Sequence, residues 1–153
     1  MGIAVQFGVR SDKFFVDIGV GDVVEPVFLD WPSFNYKEKP LFEDSISLEV
    51  YPVETIFAEK LETHFSRGAA NSRMKDYHDL LLLCRENKLL DKIRLKDNII
   101  QTFHNRGTAF SLPVQFQSDE LKRMQVLWSG HIRVLGVNRA VTLGLPPDFK
   151  LII

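Results

Sequence analysis

The chain has 153 residues, of which 45% are apolar and 25% charged, and its formal net charge is −1. That is the balance of one ordinary globular domain, with no repeat or low-complexity segment. No apolar run approaches the ~18 residues of a membrane span, the opening "MGIAVQFGVRSDKF" lacks the apolar segment of a signal peptide, and the single Cys84 excludes an internal disulfide framework.

These features point to a cytoplasmic setting without a membrane. Cys84 falls on an apolar run and reads as a buried thiol. The small net charge conceals an asymmetry. Residues 1–59 hold 4 Lys/Arg against 11 Asp/Glu, and residues 60–153 hold 15 against 9. An acidic cluster beside a basic surface suits metal-nucleotide and an anionic polymer; two solvated faces of opposite sign are the plainer alternative.

Taken in chain order, "IAVQFGV" (3–9) and "FFVDIGV" (14–20) read as a hairpin around the polar "RSDK". Residues 25–44 hold Pro26, Pro32 and Pro40 and read as a loop. "SISLEVY" (45–51) alternates as a half-buried strand. The period then changes. Pro52 stands where a helix begins, and Val53, Ile56, Phe57, Leu61 and Phe65 form a stripe that ends at Gly68. Asn71 or Ser72 can cap the next helix, whose stripe is Met74, Tyr77, Leu81 and Cys84. Further helices are expected near 88–105 and 118–128, and the tail after them is ambiguous. The reading is an α+β chain, with N-terminal strands in a mixed sheet over 1–52 and a helical bundle over 53–153 packed on it.

Four features bear on chemistry. At ~100° per residue from Val53, Lys60 falls near 340°, between Ile56 and Phe57 on the apolar stripe. An ammonium there must snorkel, pair with a carboxylate or meet a ligand anion. Glu54 is a candidate for a purely structural pair. Asp76 and Asp79, three apart, lie on one side of their helix. Asp76 can serve the helix dipole, bind a divalent cation, act as a base or partner Lys60. Asp17 sits inside a strand, where aspartate is depleted, so it marks either a ligand site or a solvated face. Arg67, Arg73 and Lys75 flank the loop "SRGAANSRMK" and can clamp phosphates. There is no P-loop, GxGxxG, HExxH or GxSxG, and the four histidines show no metal-ligand spacing.

"FFVDIGVGDVVEP", "SLEVYPVETIFAEKLETHFSRGAANSRMKDYHDLLLLCR" and "IIQTFHNRGTAF" together resemble the AbiEii-type nucleotidyltransferase toxins of bacterial toxin–antitoxin pairs. The ordered set "YPxET", "AEKL", "NSRMKDYHDL" and "TFHNRGT" carries the likeness. It implies a partial nucleotidyltransferase fold and nucleotide transfer from an NTP, with Mg²⁺ bridging the phosphates. A tRNA 3′ end or a protein would be the acceptor, and an antitoxin the partner. It makes Lys60 the phosphate-contacting lysine, Asp76 the acidic residue of "KDxxD" with Asp79 in support, and Asp17 a metal ligand. The family's glycine-serine turn and D-x-D strand do not occur in this sequence. Two-metal phosphoryl transfer needs several converging carboxylates. The expectation is therefore the rear half of such an enzyme, inactive alone and able to dimerise through an exposed strand edge. The alternative is a non-catalytic remnant that binds RNA or protein.

Overall fold

In a computed structural model of the chain, residues 1–16, 18, 25–32, 35–40, 45–110 and 115–152 are described. They form six strands followed by five α-helices: β1 (Gly2–Phe7), β2 (Arg10–Phe15), β3 (Val27–Trp31), β4 (Asn35–Tyr36), β5 (Lys39–Pro40), β6 (Ile46–Val50), α1 (Val53–Arg67), α2 (Met74–Arg85), α3 (Lys92–Arg106), α4 (Ser118–Leu135) and α5 (Val137–Thr142). The α+β class holds. Asp17 lies outside the described residues.

The strands differ in detail from the expectation. Every ladder among the described residues is a two-stranded antiparallel pair, β1 with β2, β3 with β6 and β4 with β5, in place of a mixed sheet. The first hairpin turns at Gly8-Val9, where Gly8 adopts φ 60°, as a two-residue loop favours. The polar "RSDK" lies within β2, whose side chains are all exposed, so its polarity marks a solvated strand. Within 25–44, expected as loop, three strands form. Register places Val27, Leu29 and Trp31 opposite Val50, Leu48 and Ile46. Because side chains alternate, these six apolar residues share one face of the β3–β6 ladder. Leu29, Trp31, Ile46 and Leu48 on it remain exposed.

The buried core is helical. Pro52 precedes α1 with extended ψ 141°. α1 packs against α3 on one side and α2 on another, and α2 packs against α4. Met74, Tyr77, Met124, Trp128, Ala140, Leu145 and Phe149 form the main buried cluster. The tail is part of it. α4 runs on to Leu135, and a closing turn brings Phe149 under α4, where its N–H donates to Gln125 Oε1 at 2.7 Å. The Trp128 indole N–H donates to Pro146 O at 2.8 Å. Gln117 and Glu120 close a capping box on α4.

Two side chains depart from the apolar stripes. Cys84, expected to be buried, is exposed on the last turn of α2. Glu54, offered as a partner for Lys60, is buried and accepts the backbone N–H of Asp91 at 2.9 Å, just ahead of α3.

Candidate functional site

The site is built from α1, the start of α2, and α4. α1 carries Lys60 toward α2, where Asp76 and Asp79 lie one turn apart on the same side. The Lys60 ammonium is 2.7 Å from Asp76 Oδ1 and 2.8 Å from Asp79 Oδ2. Arg73 adds Nε at 3.1 Å from Asp76 Oδ2. Asp76 is 6% exposed, Lys60 20% and Asp79 28%, so the cluster is largely removed from water, whereas Arg73 at 62% reaches into it.

Burial alone would lower the pKa of Lys60. The hydrogen bonds and charges of Asp76 and Asp79 outweigh it and hold the amine above its ordinary value. An ammonium has three N–H donors. Two face the carboxylates, and the third faces neither.

A cleft of about 470 Å³ opens beside the cluster, lined by Lys60, Arg73, Lys75, Asp76 and, from α4, Gly130 and His131 among others. Arg73 and Lys75 are therefore brought to Lys60. Arg67, on the last turn of α1, does not line the cleft. The local chain explains the arrangement. Asn71, fully buried, accepts the Arg73 N–H on Oδ1 at 3.0 Å, and α2 then starts at Met74. This turn sets Arg73 and Asp76 on the same side. It replaces the expected side-chain cap, since Arg73 occupies the N-cap position with no side-chain cap bond.

His131 was missed by the sequence reading. It lies far along the chain from Lys60, at the end of a helix expected to stop near 128. Its Nε2 lies 3.2 Å from Nδ1 of His78 on α2.

The described residues do not fit a magnesium ion. No group of three or more His, Cys, Asp or Glu among them could hold a metal. Both oxygens of Asp76 are already met by cations. In this arrangement Asp76 orients Lys60.

The segment "TFHNRGT" does something else. Glu62, 4% exposed on α1, accepts from Arg106 Nη1 at 2.8 Å and from the Thr108 hydroxyl. Burial works against its charge, but these bonds and the Arg106 charge hold its carboxyl below the ordinary range. Gly107 at φ 65° lets the chain leave α3 and return Thr108 to this acceptor. The segment is a latch between α1 and α3.

The family model for the nucleotidyl transferase AbiEii toxin of type IV toxin–antitoxin systems matches residues 2–149, and the chain belongs to that family. No curated protein and no solved structure matches it. No helix among the described residues is long and apolar enough to cross a membrane.

Proposed function

We propose that the chain supplies the phosphate-handling cluster of an NTP- and Mg²⁺-dependent nucleotidyltransferase, the toxin of a toxin–antitoxin pair. The observation that carries this reading is the Lys60 ammonium, fixed by Asp76 and Asp79 with one N–H remaining, at the wall of a cleft shared with Arg73 and Lys75. Nucleotidyl transfer places an acceptor hydroxyl on the α-phosphorus of the NTP and expels pyrophosphate. Pre-positioned cations lower the cost of the charge that gathers on those oxygens. Lys60 serves as the fixed cation, Arg73 and Lys75 as mobile ones, and Asp76 and Asp79 as positioning groups.

The glycine-serine turn and the D-x-D pair are absent from the sequence, and the described carboxylates do not converge on a metal. In this reading the metal-binding carboxylates lie outside the described residues, Asp17 among the candidates. The chain alone then transfers no nucleotide. The test is a transfer assay with labelled NTPs and tRNA or protein acceptors, run with and without a segment bearing a glycine-serine turn and D-x-D supplied in trans. Transfer in the completed mixture supports the proposal. An inert completed mixture contradicts it, and transfer by the chain alone contradicts its incompleteness.

The exposed apolar face of β3–β6 favours a second reading, a non-catalytic module that binds a protein partner such as an antitoxin or a second copy of itself. RNA binding belongs to the same reading. Salt-sensitive RNA affinity that tracks Arg67, Arg73 and Lys75, together with no NTP binding, would favour it.

A further inference from the structure

The cleft has a neutral member beside its cations. His131 lines it together with Lys60, Arg73 and Lys75, and its Nε2 stands 3.2 Å from His78 Nδ1. Two ring nitrogens at that distance share one proton, one donating and the other accepting. Burial holds both imidazoles below the ordinary histidine pKa, against the pull of Asp79, so both are neutral near neutral pH.

The donor is decided at the far side of His78. That residue is 8% exposed, and its Nε2 is buried with no hydrogen-bond partner. A proton there would make a buried, orphaned N–H, the rarest kind of unsatisfied group in folded proteins. His78 therefore carries its proton on Nδ1 and donates it to His131 Nε2. A neutral His131 whose Nε2 accepts must hold its own proton on Nδ1. Among the described residues that N–H has no partner.

We propose that His131 is a ligand-binding residue of the cleft, donating Nδ1–H to a phosphate oxygen, and that His78 is the positioning residue that fixes this tautomer. The inference rests on the phosphate reading above and extends it. A neutral donor beside three cations adds direction to the site without adding charge, because an imidazole N–H points along one axis whereas Arg73 and Lys75 sit on flexible stems.

The experiment uses the whole 153-residue chain with histidine labelled at both ring nitrogens. NMR spectra correlating ring nitrogens with ring protons report the tautomer of each histidine directly, before and after addition of inorganic pyrophosphate. His78→Asn and His131→Asn assign the signals. The expected result is His131 in the Nδ1–H form, with that nitrogen moving on addition of pyrophosphate while His104 stays still. His131→Ala should weaken pyrophosphate binding roughly tenfold. His131→Asn, whose amide reaches where Nδ1 stood, should recover much of the loss. His78→Leu should leave His131 in mixed tautomers. If pyrophosphate binds in a Lys60-dependent way while His131 is unmoved or in the Nε2–H form, this inference falls and the phosphate reading stands. If pyrophosphate does not bind at all, both fall.

Discussion

Lys60 Nζ lies 2.7 Å from Asp76 Oδ1, sixteen positions away in the chain and on the next helix. The pair couples the position of the amine to the start of α2. It also meets Arg73 through the second oxygen of Asp76 and Asp79 through the amine itself. Four charges of alternating sign therefore form one contiguous network.

Asp76→Asn removes the charge that both Lys60 and Arg73 face. Lys60 keeps Asp79, and Arg73 keeps water, so the loss is smaller than for a fully buried pair. The expected destabilisation is about 1–3 kcal/mol in urea unfolding. A double-mutant cycle with Lys60→Met should show non-additivity of at least about 0.5 kcal/mol, as for residues in one network. Strictly additive effects would mean that the contact is not energetically coupled.

Glu62→Gln tests the latch. Glu62 is nearly inaccessible, and an amide in its place removes the charge that faces Arg106 and can offer only one acceptor oxygen where the carboxylate offers two, to Arg106 and to Thr108. The expected cost is about 2–4 kcal/mol of stability. Pyrophosphate affinity of the folded fraction, followed by calorimetry, should not change. A change there would tie "TFHNRGT" to the ligand site.

The sequence made Lys60 visible because a cation on an apolar stripe breaks a local rule. Asp76, an ordinary acid for a first helical turn, stood out only through its spacing with Asp79 and the family resemblance. The sequence misplaced how deep Lys60 sits. The buried residues of α1 are Glu54, Thr55, Phe57, Ala58 and Glu62, so the most buried face is rotated from the apolar stripe, and Lys60 lies outside it, on the side that meets α2. Periodicity counts apolar residues. It could not see that Glu54 and Glu62 are buried because Asp91, Arg106 and Thr108, 37, 44 and 46 positions further along the chain, satisfy them. His131 was hidden for the same reason, since its partner His78 is 53 residues away. The Gly8 turn was legible in principle, but the polarity of "RSDK" outweighed a single glycine.

Stability should fall on the acid side of neutrality. His64, His78 and His131 all have pKa values lowered by burial. A histidine kept neutral in the fold takes up its proton on unfolding, so its contribution is complete above the unfolded value of about 6.5 and is lost as pH falls below it. His64 is the cleanest case. It packs edge-on to Tyr77 at 5.0 Å, and its Nδ1 is buried without a partner. His64→Phe should keep the ring packing and flatten the fall in the urea midpoint between about pH 7 and pH 5. An unchanged slope would assign the acid limb to other groups.

Lys60 acts at the opposite end. Its folded pKa is raised, so its contribution is complete below the unfolded value of about 10.4 and is lost as pH climbs through the higher folded value. Lys60→Met should therefore remove part of the alkaline fall in stability above about pH 10 and leave the acid limb intact. Urea midpoints across both limbs check this. An alkaline limb of the same steepness in the variant would show that Lys60 is not the group responsible.

The most direct measurement is calorimetric binding of inorganic pyrophosphate to the chain and to Lys60→Met, each corrected for its folded fraction. If the amine is held by Asp76 and Asp79 to receive phosphate oxygens, the chain binds pyrophosphate and the variant binds it at least roughly tenfold more weakly. Equal affinity in the two proteins would show that the Lys60 cluster is an internal ion pair with no part in phosphate recognition.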